Sequence, residues 1–153
     1  MAILLPIPTM KPIYLFVFLI LFVSCSKTDT PKILTTYEAN KEKWDKASIQ
    51  DYSYVFRISC FCTKEYTEPK NVLVKAGEIV TVNEEVFSKE KHNGILTIND
   101  LFEEIEEASS QDVAILEVTY DSSYGFPSTI FIDRNERIVD EEMNYSITDF
   151  TPH

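Results

Sequence analysis

The chain opens with an uncharged apolar run, Ile13 to Val23, that ends at Ser24-Cys25-Ser26. Beyond it the hydrophobic pattern changes period several times. Tyr37, Lys41 and Trp44 recur at helical spacing, with Ala47 or Ser48 continuing the same face, and predict a helix from about Thr35 to Ala47 with Trp44 as a core anchor. After Gln50-Asp51 the period falls to two. Tyr52, Tyr54, Phe56, Ile58 and Cys60 point one way while Ser53, Val55, Arg57 and Ser59 point the other, which predicts a strand with one buried face. A hairpin follows, in which Val72 to Lys75 and Ile79 to Val82 flank Ala76-Gly77-Glu78 and Gly77 supplies the positive φ of a tight turn.

The second helix has the strongest sequence signature. Thr97 stands three residues before Asp100, close to a capping box, and Ile98, Leu101, Phe102 and Ile105 form an i, i+3, i+4, i+7 stripe. Its other face carries Glu103, Glu104, Glu106 and Glu107, a solvated surface whose acids near the C-terminus oppose the helix dipole. Strands are predicted for Val113 to Tyr120, Ser128 to Asp133 and Asn144 to Phe150, with a turn at Asp133-Arg134-Asn135-Glu136. The fold class is therefore α+β: an antiparallel sheet of about six strands with two helices, in the order helix, three strands, helix, three strands.

The apolar run is too short to be a membrane span. It covers eleven residues, and a helix needs about 20 to cross the hydrocarbon core. With Lys11 before it, the run fits a secretory signal, whereas Pro6, Pro8 and Pro12 sit badly in an anchor helix. Met10-Lys11 is a more usual start than Met1, and the sequence leaves the two open. Leu21-Phe22-Val23-Ser24-Cys25 resembles the lipobox of bacterial lipoproteins, in which small residues precede a cysteine that is lipidated and becomes the new N-terminus. Phe22 departs from the aliphatic residue usual at its position. The organisation expected is a signal peptide over 1–24, a lipidated N-terminus and polar tether over 25–34, and a single domain over 35–153. By the same resemblance, Ser26 in place of aspartate implies delivery to the outer membrane, anchored there through lipid on Cys25.

Cleavage would leave 13 basic against 25 acidic side chains, since Lys11 is the one charged residue removed. That surface repels polyanions, which excludes nucleic acid as a partner. It also leaves 129 residues, enough for one domain with a real core. Oligomeric state is not legible.

Candidate chemistry is sparse. Cys60-Phe61-Cys62 holds the two thiols that remain once Cys25 is lipidated, and an oxidising compartment favours pairing them. Two cysteines on one face of a straight strand have Cα atoms roughly 6.5–7 Å apart, at the edge of the disulfide range, so a bridge requires a bend. A structural disulfide leads; a buried pair of free thiols and a redox or metal pair remain open. His92 and His153 do not pair with cysteine at zinc-ligand spacing, and Asp133, Asn135 and Asp140-Glu141-Glu142 lack the glycine and ligand spacing of a calcium loop. Ser122 and Ser123 are not in a nucleophile elbow, and Gly77, Gly94 and Gly125 form no phosphate-cradling loop. No catalytic residue, metal or cofactor is expected.

The stretches Asp51-Tyr52-Ser53-Tyr54, Ser59-Cys60-Phe61-Cys62, Thr97-Ile98-Asn99-Asp100-Leu101-Phe102, Tyr120-Asp121 and Tyr124-Gly125-Phe126-Pro127, with Asp140-Glu141-Glu142 and Asp149-Phe150 at the end, resemble an uncharacterised bacterial lipoprotein family, domain of unknown function 6174. The resemblance brings no catalytic residues. The function expected is a non-enzymatic, membrane-tethered binding module for an envelope protein or ligand. The tyrosine-rich strand and the loop bearing Tyr120, Tyr124 and Phe126 are its expected surface, because exposed aromatics commonly anchor interfaces. The alternatives are a small redox or hydrolytic enzyme centred on Cys60 and Cys62, and a passive structural lipoprotein.

Overall fold

The computed structural model describes residues 32–153, with side chains from residue 36, so the signal segment and Cys25 lie outside the described residues. The elements are α1 (Lys32–Ala47), β1 (Tyr52–Ser59), α2 (Lys64–Thr67), β2 (Lys70–Lys75), β3 (Glu78–Val82), β4 (Glu85–Val86), α3 (Ile98–Ser110), β5 (Ile115–Tyr120), β6 (Pro127–Asp133) and β7 (Met143–Pro152). One antiparallel sheet runs in the order β4-β3-β2-β1-β7-β6-β5. Two meanders, β1 to β4 and β5 to β7, meet at the β1–β7 pair, which joins residues distant in sequence at the middle of the sheet.

The mixed class and antiparallel sheet agree with the sequence pattern, but the counts are seven strands and three helices rather than six and two. The two added elements are too short to leave a periodic signal. α2 is a single turn without a buried residue. β4 is two exposed residues turned back on β3 by Asn83 and Glu84, both at positive φ.

The core lies on one face of the sheet, beneath α1 and α3. Tyr52, Tyr54, Phe56 and Ile58 of β1 are buried, as are Val72, Val74, Val82, Ile130, Ile132, Tyr145 and Ile147 from its neighbours. α3 covers them with Ile98, Leu101, Phe102, Ile105 and Ala108. Its start is fixed twice over: the capping box of Thr97 and Asp100 is complete, and Tyr52 and Tyr54 reach up from the sheet, the first accepting from Ile98 N–H at 3.3 Å and the second donating to the Leu96 carbonyl. Such caps satisfy amides that a buried helix end would otherwise leave unpaired.

α1 runs antiparallel to α3. Tyr37 sits edge-on to Phe102 with ring centres 5.8 Å apart, while one end further on the Trp44 indole donates to Asn99 Oδ1 at 3.0 Å. Trp44 then meets Tyr52, Phe126 and Phe150 edge-on, at 5.6, 6.2 and 6.0 Å. Phe150 reaches this cluster through a bulge. Between the pairs Ser53↔Thr151 and Val55↔Thr148, β1 advances two residues while β7 advances three, and Asp149 takes φ 53°. The extra residue reverses the pleat phase after Ile147, so that Phe150 faces inward where a regular strand would have placed Asp149.

The loop between β5 and β6 closes over the same cluster at Gly125, which has φ +82° and lies so near α1 that a Cβ would come within 2.5 Å of the Asn40 carbonyl oxygen. Gly125→Ala is expected to destabilise the domain by about 1–3 kcal/mol. Ser123→Ala, on the exposed part of the same loop, should change stability by less than about 0.5 kcal/mol. Urea unfolding followed through the fluorescence of the single tryptophan measures the difference.

Candidate functional site

Four places hold the residues to which chemistry or binding attaches. The first is the loop of Tyr120, Tyr124 and Phe126, where the structure corrects the expected aromatic surface. Phe126 is in the core, 4% exposed, with its ring 4.6 Å from Phe150. Tyr124 packs on Phe150 at 5.4 Å, and Tyr120 stacks on Phe102 at 6.4 Å. Asp121 organises the turn by accepting from the amides of Ser123 and Tyr124, which directs the aromatics inward. Burial pushes the Tyr120 phenol up to about 12, and its hydroxyl is buried without a hydrogen-bond partner. Phe126 thus closes the core, while Tyr120 and Tyr124 pack against it and stay partly exposed. Tyr52 and Tyr54 of the tyrosine-rich strand are likewise buried.

The second is the turn after β1. Cys60 and Cys62 are joined in a disulfide with Cα atoms 5.2 Å apart. β1 ends at Ser59, so the chain bends at Cys60 and shortens the separation that a straight strand would impose. Cys60 packs against the core, Cys62 is exposed, and Phe61 projects between them with 81% of its surface exposed.

The third is a cavity of about 320 Å³ between β3, the loop before α3 and the first turn of α3. Ile79, Phe87 and Ile95 supply its apolar wall, and Lys89, Asn93 and Asp100 its polar rim. His92 lines it, but the imidazole is already engaged. Nδ1 accepts from Ser88 N–H at 3.2 Å, the ring stacks on Phe87 at 5.8 Å, and Nε2 lies 3.9 Å from Glu85 Oε2. An Nδ1 acceptor places the ring proton on Nε2. The Asp100 carboxylate is similarly occupied, its Oδ2 accepting from Thr97 N–H and Oγ1 at 2.8 and 2.7 Å. The cavity suits a small, partly apolar group and holds no activated nucleophile.

The fourth, not anticipated from the sequence, lies at the far end of α3. Glu104 Oε2 is buried without a hydrogen bond, 3.7 Å from Arg134 Nη2, and Arg134 also donates to Gln111 Oε1 at 2.7 Å. Burial raises the Glu104 carboxyl above the usual range, and Arg134 pulls it partly back. Burial, with Glu104 adding to it, pushes Tyr145 up to about 12. The helical stripe identified Glu104 as polar; only the tertiary fold reveals that the partner is Arg134. Asp133, at the start of the expected turn, is buried and accepts from Asn135 N–H at 2.9 Å. Among the described residues no group of three His, Cys, Asp or Glu could hold a metal ion.

Residues 36–152 match a family of unknown function, DUF6174. No curated protein and no solved structure matches the chain.

The buried phenols set an alkaline limit. Burial pushes Tyr52, Tyr120 and Tyr145 up to about 12 and Tyr54 well above its ordinary value of 10.0. Below pH 10 both folded and unfolded chains keep these protons, so they contribute no pH dependence. Between 10 and 12 the unfolded chain releases them and the folded chain does not, and stability falls as pH rises. Tyrosinate absorbance from these four residues is therefore expected to appear together with loss of the folded circular-dichroism signal.

Proposed function

The chain belongs to the DUF6174 family, a family of unknown function, and we propose a function from the residues: a bacterial cell-envelope lipoprotein, acylated at Cys25 and anchored in the outer membrane, whose single domain is a non-enzymatic binding module. The observation that carries the reading is the Cys60–Cys62 disulfide. Disulfides belong to oxidising compartments such as the periplasm and the cell surface. With two of the three cysteines joined, Cys25 is the thiol left for another fate, and it stands directly after an uncharged apolar run of signal-peptide length.

Binding is favoured over catalysis by how the chemistry-bearing side chains are used. His92 accepts from Ser88 N–H at Nδ1 and stacks on Phe87, Asp100 caps a helix, and Glu104 faces Arg134. The cavity beside His92 combines an apolar wall with a charged rim, the usual composition of a small-ligand or side-chain pocket. An envelope protein or peptide that inserts one apolar side chain there is the partner it fits.

Cys25→Ala is expected to abolish lipid labelling and membrane retention while leaving the circular dichroism and unfolding midpoint of the domain unchanged. Unaltered fractionation of the variant would falsify the anchoring. For the binding role, stoichiometric recovery of an envelope protein with the tethered chain, lost on Ile79→Trp, is the expected result. A Cys60–Cys62 bridge that is readily reduced under mild conditions, leaving both thiols open to labelling, would instead support a redox role.

A further inference from the structure

We propose that one end of the sheet, formed by the Cys60–Cys62 turn and the loop over 134–142, rests on the lipid surface with Phe61, Ile138 and Val139 in the headgroup region. The inference depends on the lipidation of Cys25 proposed above and adds an orientation to it.

The first step locates where the tether enters. α3 begins beside Tyr52, at the end of the sheet where β1 starts, and finishes at Gln111, whose side chain meets Arg134 just after β6. α1 is antiparallel to it, with Trp44 beside Asn99 and Tyr37 beside Phe102 and Glu106. The N-terminus of α1 at Lys32, a further turn and a half beyond Tyr37, therefore lies at the Arg134 end. Lys32 is seven positions after Cys25, and seven extended residue steps reach about 25 Å at most. An acylated Cys25 thus holds this end of the domain close to the bilayer.

The second step is what this end exposes. Ser59 of β1 is paired with Asn144, and Ile132 of β6 with Met143, so the 60–62 turn and the 134–142 loop are neighbours. Phe61 is 81% exposed, Val139 80% and Ile138 52%, three of the five exposed large hydrophobic residues among those described. At the opposite end the loop aromatics Tyr124 and Phe126 face inward instead.

The third step is that both tips are braced. The disulfide closes the turn on either side of Phe61. Asn135 accepts from Ile138 N–H at 2.8 Å through its carbonyl and from Arg137 N–H at 3.1 Å through its side chain. Turns braced in this way lose little backbone entropy on insertion. Three partly inserted side chains bind weakly alone, but an anchored domain meets the surface at high effective concentration.

Charge selects the lipid. The exposed charges near the tips are mixed, Glu136 and Asp140 in the loop against Arg137 there and Lys64 beside the 60–62 turn, so anionic headgroups gain no net attraction and a zwitterionic phospholipid fits.

The test uses the full lipidated chain in phosphatidylethanolamine–phosphatidylcholine vesicles, with a polarity-sensitive fluorophore on Val139→Cys or, at the opposite end, on Ser123→Cys. The protein should float with the vesicles. The Val139→Cys probe should show blue-shifted emission and several-fold stronger quenching by headgroup nitroxide lipids than the Ser123→Cys probe. Flotation with equal, water-like emission at both sites overturns the orientation and leaves the anchor standing. Failure to float overturns the anchor, and the orientation with it. A shift at Val139→Cys in native membranes but not in vesicles assigns this end to a protein partner and also overturns the proposal.

Discussion

The placement of Trp44 against Phe150 is the constraint on which the rest of the domain depends. Trp44 carries α1, Phe150 carries the last strand, and Tyr52 and Phe126 come from the first strand and the loop before β6. These elements are scattered along the whole described chain, and each contributes one ring. Edge-on aromatic pairs of this kind contribute about 0.5–1.5 kcal/mol beyond their burial. The larger effect is geometric, because one indole, hydrogen-bonded to Asn99, fixes α1 and α3 relative to the sheet.

Phe150 joins the cluster only because β7 is irregular. Tyr145 and Ile147 follow period two into the core, and the next inward position is Asp149, a residue that cannot be buried there unpaired. The bulge at Asp149 removes the conflict and brings the next residue inward. It also lets β7 pair with β1 over most of its length, which closes the two meanders into one sheet. A single irregular residue thus decides both the completeness of the core and the connection at the middle of the sheet.

This explains how much was legible in advance. β1 and α3 were readable because alternation and the i, i+3, i+4 stripe are local signals, and each carries its own boundary in Asp51 or Thr97. The Ala76-Gly77 turn was readable for the same reason. Adding Phe150 to the aromatic cluster requires knowing that β7 bulges, and the bulge depends on a partner strand more than ninety residues earlier in the sequence. The inward turn of Tyr124 and Phe126 was equally illegible. Aromatic residues in a loop with Asp, Ser and Gly look exposed by composition, and only the approach of Gly125 to α1 shows that the loop is a lid on the core. The Glu104–Arg134 pair joins a helix to a loop, and no spacing rule links them.

The two ends of the sheet resolve the same problem in opposite ways. Where β1 starts, the core is open between α1 and the strands, and the loop aromatics are drawn in to fill it. Where β1 finishes, α3 has already covered the core with Ile105 and Ala108, so apolar residues in the adjoining turns have no buried volume to occupy. Phe61 and Val139 are left in solvent. A disulfide that fixes Phe61 outward makes that exposure persistent rather than transient. Persistent exposure of braced apolar tips beside the start of α1 is the arrangement expected when the surface that completes them lies outside the chain.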